Sequence, residues 1–341
     1  MRRTALGALL LTLVVASLVA VAVVVRMGAD RPPDQPVDRP VAEPTPSASP
    51  NPSPSPTPSS TLTPPTTGPP SSQPTAPVPP TLSPCPPGPS RQLTVLTFNI
   101  HGGLGHSGYD LDTVANEIEA WDADVVLLQE VDRNRPRTLF DDQAVALATR
   151  LDMHPAYGAN VRRPPAERGG KGQEYGTLTL SHYPVLDSDN VHLPNRPGLE
   201  RRGLLRTTID VDGAPVDVFN THLQHTSGAV RREQVRGIRA VLETRDLPTV
   251  VGGDLNAEPD SPALALLAAA GLSDPWPAVG VDEGLTVPAR VPRRRIDFVL
   301  HDASFEPRAA EDLLSTVSDH RAVRVVLRLV DPRDCGGEGT S

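Results

Sequence analysis

Apolar positions recur with two periods along residues 92–329, and they divide this stretch into strands and helices. Gln92–Ile100 (QLTVLTFNI) alternates and is rich in β-branched residues, predicting a strand. Leu111, Val114, Ile118 and Trp121 fall at helical spacing, with acids near the start, so Leu111–Trp121 predicts a helix. Ala123–Gln129 (ADVVLLQ) is continuously apolar, as a strand buried on both faces must be. Further strands are expected at Tyr175–Ser181, Leu204–Val211, Pro215–Leu223, Leu247–Gly252, Ile296–His301 and Arg321–Leu329. Helices are expected at Asp142–Leu151, Gly228–Thr244 and Pro262–Ala270. No internal repeat is visible. Many strands with few intervening helices point to packed sheets flanked by helices rather than a regular βα barrel.

The N-terminal quarter follows other rules. Arg2 and Arg3 precede an uncharged apolar run, Ala5–Val25, long enough to span a bilayer as a helix. It reads either as an uncleaved anchor or as a signal peptide, with Ala20-Val21-Ala22 offering a cleavage site. Either reading exports the rest of the chain, and the two arginines favour the short N-terminal side staying in the cytoplasm. Residues 31–90 hold 23 of the 40 prolines and 18 Ser/Thr, too few large apolar side chains to offset the entropy of folding. The expected organisation is therefore a signal or anchor (1–30), an extended Pro/Ser/Thr linker (31–84), one folded domain (85–335) and a short tail (336–341). The net charge is −9, and residues 1–90 carry five arginines and four acids, so residues 91–341 hold −10. That balance argues against a partner bound by bulk electrostatics, such as nucleic acid, without excluding a local basic groove.

The polar residues with chemical potential sit at strand ends. Asn99 closes the first strand, and His101 at i+2 is expected to point the same way. Glu130 ends the buried run, Asn220-Thr221-His222 ends another strand, and Gly252-Gly253-Asp254-Leu255-Asn256 a fourth. Asp297 lies in RRIDFVL, and Asp319-His320 directly precede the last strand. Taken singly, each has a structural role open to it: Glu130 as a cap, Asp254 and Asn256 as an Asx-turn, Asp319-His320 as a chance pair. Together they offer oxygen ligands without cysteine, which suit Mg²⁺, Mn²⁺ or Ca²⁺, and histidines beside carboxylates for charge stabilisation and proton transfer. That set fits metal-assisted attack of water on a phosphate ester.

The ordered motifs TFNI (97–100), LQE (128–130), NTHL (220–223), GGDLNAEP (252–259), RRIDFVL (294–300) and SDH (318–320) resemble the endonuclease/exonuclease/phosphatase superfamily. The resemblance spans residues 93–330 and implies an α/β fold, a four-layer α/β/β/α sandwich with the first and last strands together. It implies Asn99, Glu130 and Asp319 as metal ligands and Asp254 as the residue that orients or deprotonates water. It makes Asn256 a companion of Asp254 on phosphate or metal, Asp297 and His320 a charge-stabilising pair, and His222 a contact to the scissile phosphate. Tyr175 and Arg202, or Arg201 beside it, match phosphate-binding positions, and His101 stands where abasic-site nucleases carry an acid. The run TFNIHGGLGHSGYDLD resembles the branch related to GPI-anchor-remodelling proteins, and also sphingomyelinase-type phosphodiesterases.

The expected partner is thus a phosphate ester, lipid-linked or small, ahead of DNA or RNA, and the expected state a monomer. A secreted nuclease is the alternative, and a non-catalytic surface module is disfavoured because every motif position keeps a competent side chain. If the first and last strands pair antiparallel, Cys85 and Cys335 arrive together and a disulfide is expected, with two free or intermolecular thiols as the alternative. Loops 158–174 and 278–294 are expected to frame the substrate.

Overall fold

The computed structural model describes residues 91–330. The N-terminal apolar run, the linker, the tail, Cys85 and Cys335 lie outside the described residues. Among those described, no helix is long and apolar enough to cross a membrane.

The chain runs through β1 (Gln92–Asn99), a two-residue hairpin of β2 (Leu104–Gly105) and β3 (Gly108–Tyr109), and α1 (Leu111–Ala120). Then come β4 (Val125–Arg133), α2 (Gln143–Leu151), β5 (His154–Arg163), β6 (Gln173–Ser181), β7 (Val185–His192), β8 (Gly203–Val211) and β9 (Ala214–His222). α3 (Gly228–Leu242), β10 (Thr249–Asp254), α4 (Pro262–Ala268), α5 (Trp276–Val279), β11 (Asp297–His301), β12 (Phe305–Leu313) and β13 (Ala322–Leu329) complete it. Six strands form one sheet in the order β12-β13-β1-β4-β6-β5, and five form another in the order β11-β10-β9-β8-β7. Each sheet holds one parallel pair, β1 with β4 and β9 with β10. A helix makes each of those crossovers, α1 in the first sheet and α3 in the second.

Three apolar clusters fill the three spaces between four layers. Leu96, Phe98, Val126 and Leu128 face α1 and α2 through Val114, Ile118 and Leu147. Their strand neighbours Leu93, Val95, Val125 and Leu127 face the second sheet through Val216, Val218 and Val250. Phe219, Val251 and Leu300 pack on Val235, Ile238, Leu264 and Leu267 of α3 and α4. The ADVVLLQ run is apolar throughout because its two faces serve two of these cores. Short caps fix the helix starts: Asp110, Asp142, Ser227 and Ser261 each accept from a backbone N–H of the first turn.

β1 and β13 pair antiparallel, with Thr97 opposite Val323 and Gln92 opposite Arg328, as the resemblance implies. The strands without a sequence forecast are β5, β7 and β12, besides the two-residue β2 and β3. The first three are edge strands. Edges bond on one side only and tolerate Pro155, Gly158 and Pro307, so their apolar alternation is weak. The expected loop 158–174 is accordingly corrected: residues 158–163 finish β5 and 173–174 begin β6.

The two sheets are also tied by polar groups. Asn220 Nδ2 donates to the carbonyls of Leu128 (3.1 Å) and Leu178 (2.9 Å), and its Oδ1 accepts from Gln129 Nε2 at 2.9 Å. All of this is fully buried. Asn220→Ala strands these partners, and urea unfolding is expected to show a loss of about 2–4 kcal/mol. A loss below about 0.5 kcal/mol, the range of an innocuous surface change, would contradict this role.

Candidate active site

Five strands deliver their polar ends to one rim of the sandwich. In the second sheet β10 lies between β9 and β11, and its last residue, Asp254, is register partner to His222 on one side and Asp297 on the other. Gly253 makes this possible. At φ 144° it lets β10 approach β9 so closely that a Cβ would lie 1.8 Å from the Thr221 carbonyl oxygen.

In the first sheet β1 ends at Asn99, opposite Gln129. Between Leu128 and Val131 the pairing of β4 with β6 shifts register, and Glu130 within that bulge has φ 60°. The bulge turns Glu130 out of the core and toward Asn99. The expectation that His101 continues the extended strand is corrected. It sits at φ 50° and opens a 3₁₀ turn (His101–Gly103), its N–H donating to Asn99 Oδ1 at 3.0 Å. Asn256 departs in the same way at φ 49°. Its N–H donates to Asp254 Oδ1 (2.9 Å) and its Nδ2 to the Leu223 carbonyl (3.1 Å), so the Asx-turn and a place in the cleft coexist.

Asp254 is the hub. Its Oδ2 accepts from Asn99 Nδ2 (3.1 Å) and lies 3.3 Å from His222 Nε2 and 3.8 Å from His320 Nε2. Burial, then repulsion from Asp297, pushes the Asp254 carboxyl up to about 7. His320 Nδ1 lies 2.9 and 3.1 Å from the two oxygens of Asp297. Burial pulls the His320 pKa down, but Asp297, followed by Asp254 and Asp319, overrides it and pushes it up to about 10. His320 is therefore an imidazolium at neutral pH. His222 is its opposite. An arginine can only donate, so Arg202 Nη1, 3.0 Å from His222 Nδ1, requires a lone pair there. Burial and then the charges of Arg202 and His320 hold His222 well below the usual histidine range. It is neutral, with its proton on Nε2.

These groups open into a cleft of about 400 Å³ lined by Glu130, Tyr175, Arg202, His222, Asp254, Asn256 and His320, together with Arg135, Arg137, Glu200 and His225. The last four escape motif reading because loops and turns carry them. Arg135 and Arg137 are both held by the fully buried Asp132, at 2.9 and 2.6 Å, and both stack over the Tyr175 ring. The only sequence signal for them is the arginine-rich run RNRPR after β4. Burial, then the Glu130 and Glu200 carboxylates, hold Tyr175 well above its usual pKa, so it remains a neutral donor. Arg202 lines the cleft but is committed behind it, to His222 and, at 2.8 Å, to Glu200. Arg201 faces a neighbouring recess instead. Asp319 pairs with His101 (Oδ1 to Nδ1 3.4 Å), and both line another adjoining recess with Pro288, Ala289 and Arg290 from the loop expected to frame the substrate.

The donor chemistry suits a hard divalent cation. Oxygen atoms dominate, and burial, then the neighbouring Asp297, already raises the Asp254 pKa. Asp254, Asp297 and His320 lie close enough together to chelate an ion by distance alone. The protonated His320, fixed by Asp297, has no lone pair to give. Glu130, whose second oxygen is unengaged among the described residues, and Asn99 are the better-suited pair.

Comparison with known proteins agrees with this chemistry. Residues 96–320 match the Endonuclease/Exonuclease/phosphatase family. The chain belongs to that family. It is accordingly a phosphoester hydrolase, and the family depends on divalent metal. A solved endonuclease/exonuclease/phosphatase from Beutenbergia cavernae is 30% identical, covering 70% of this chain and 72% of that one at a TM-score of 0.61. A mannosyl-6-phosphatase from Bacteroides thetaiotaomicron (17% identity, 69% and 99% coverage, TM-score 0.56) shares the fold. So does the human Nocturnin catalytic domain, solved with a bound sulfate (19% identity, 70% and 94% coverage, TM-score 0.56). No curated protein sequence matches the chain.

Proposed function

We propose that this endonuclease/exonuclease/phosphatase-family member is a divalent-metal-dependent phosphodiesterase or phosphatase that works outside the cytoplasm on a lipid-linked or small phosphate ester. The observation that carries the reading is the convergence on Asp254: a carboxylate fixed on both oxygens, flanked by one neutral and one cationic histidine. Asp254 orients the attacking water and takes its proton. His320 directs Nε2–H, fixed by the Asp297 bond on Nδ1, at the charge developing on phosphorus. His222 offers Nε2–H to a phosphoryl oxygen, its tautomer set by Arg202. Asn256 closes the Asp254 side. Arg135, Arg137 and Tyr175 supply donors to the remaining oxygens. Glu130 would hold Mg²⁺, Mn²⁺ or Ca²⁺, joined by the Asn99 side-chain oxygen once its amide, which now turns Nδ2 to Glu130, reverses, with Asp319 on the His101 side. Such an ion, when bound, supplies positive charge to a phosphoryl oxygen and activates water. The uncharged run Ala5–Val25 and the proline-rich segment behind it support export, whether anchored or cleaved, with the domain working as a monomer.

The test is hydrolysis by the full chain of phosphoinositides, sphingomyelin, linear and cyclic nucleotides and DNA, with each metal and with EDTA. Metal-dependent release from a lipid or small ester is the expected result. Exclusive cleavage of supercoiled plasmid would turn the reading to a secreted nuclease. Glu130→Gln is expected to weaken Mn²⁺ binding in calorimetry by at least about tenfold, and unchanged affinity would remove Glu130 from the metal site.

A further inference from the structure

Next to the catalytic cleft lies a second recess, of about 680 Å³, lined by Asn160, Arg162 and Arg163 of β5, His192 of β7, Asn195 and residues 198–201. Glu200 lines both spaces, so they share a wall. The chain alternates across that wall: Arg202 lines the catalytic side and Arg201 the recess.

The recess is rich in uncommitted donors. Among the described residues, neither Arg163 nor Arg201 has an acidic partner, and both are exposed. Asn160 is only 6% exposed. Its Oδ1 accepts from Asn190 Nδ2 at 3.1 Å, while its own Nδ2 has no partner among the described residues. That N–H opens to the solvent of the recess and is free to donate to a ligand there. Arg162 is paired with Glu174 at 3.0 Å, and His192 Nε2 is engaged by the Ala159 carbonyl. The one carboxylate in the recess, Glu200, is neutralised by Arg202.

The walls are pre-formed. The 194–200 segment is tied to α3 by Arg196–Glu233 and by Gln234 Nε2 on the Pro194 carbonyl (3.3 Å), and to itself by Asn195 Nδ2 on the Leu199 carbonyl (3.0 Å). On the other side, β5 changes register between Ala159 and Val161, where Asn160 sits. A Cβ on Gly203 would lie 2.1 Å from Asn160 Oδ1, so glycine there lets β8 close on this asparagine.

We propose that this recess is a second anion subsite, which takes a phosphoryl group other than the scissile one. The proposal rests on the phosphoester reading of the neighbouring cleft and narrows its substrate class to esters with two phosphoryl groups. Two sources share that chemistry: a small bisphosphate, or the adjacent phosphate of a nucleotide chain. Arg163 and Arg201 grip its oxygens, and Asn160 Nδ2 donates to it.

Binding decides the question independently of turnover. Calorimetry on the Mn²⁺-loaded full chain, at 0.15 M salt, would compare fructose 1,6-bisphosphate with fructose 6-phosphate, and thymidine 3′,5′-bisphosphate with thymidine 5′-monophosphate. In one pair or both, the bisphosphate is expected to bind about tenfold tighter, and the pair that responds identifies the source. Arg163→Glu should abolish that advantage without changing monophosphate affinity or turnover of bis(p-nitrophenyl) phosphate. Arg201→Glu should abolish the advantage too. Equal affinities in both pairs, or an advantage that survives both charge reversals, would overturn the subsite. Failure of the wild-type chain to hydrolyse any phosphate ester would instead overturn the hydrolase reading, and leaves the binding comparison interpretable.

Discussion

Asp254→Asn is expected to lower kcat by about 10²–10⁴-fold, the range for loss of a positioned proton acceptor. The amide keeps the size of the carboxylate and one acceptor oxygen, so circular dichroism and cooperative unfolding should match wild type. The effect is large because no neighbour can substitute. His222 has its Nδ1 lone pair occupied by Arg202, and His320 already carries its proton. Asp297 is buried behind His320 with both oxygens facing its ring. A variant retaining more than about a tenth of wild-type kcat would remove Asp254 from the reaction.

Asp297→Asn is the second large effect, and its signature is a change in pH dependence. In the native protein the Asp297 carboxylate keeps His320 protonated against burial, up to about 10. Without that charge the histidine loses its largest support against burial, and only Asp254 and Asp319 still favour the proton, so its pKa should fall. Activity that depends on the imidazolium should persist through pH 8–9 in wild type. In the variant it should fall at lower pH than in wild type, with kcat on the alkaline side down by up to roughly 10²–10³-fold. A pH profile parallel to wild type would show that Asp297 acts only on geometry.

Much of this arrangement is legible in the amino-acid sequence, for physical reasons that differ by element. β1, β4, β9 and β10 are central strands buried on both faces, so Val125–Leu128 carries a continuous apolar signal and Leu93–Phe98 a β-branched, largely apolar one. β5, β7 and β12 bury at most one face and carry Pro155, polar residues such as Asp187 and Asp189, and Pro307, which hide them. Strand-end chemistry follows the strands, which is why Asn99, Glu130, His222, Asp254 and Asp297 can be read as one set. What spacing does not show is conformation after the strand ends. The left-handed turns at His101 and Asn256 and the bulge at Glu130 redirect side chains that simple alternation would misplace. Nor does it show commitment. Arg202 reads as a phosphate clamp from its position, whereas its bonds to His222 and Glu200 make it the group that sets a histidine tautomer. Arg135 and Arg137 become visible as cleft residues only once the buried Asp132 is seen to hold them.

The central claim is water attack on phosphorus at the Asp254 cleft with a divalent cation. Hydrolysis of bis(p-nitrophenyl) phosphate by the full chain in ¹⁸O-water, with Mn²⁺ and then with EDTA, tests it most directly. The prediction is one ¹⁸O in the phosphoryl product, none in the p-nitrophenol, and no turnover once EDTA is present. Undiminished turnover in EDTA, or label absent from the phosphoryl group, would contradict the account.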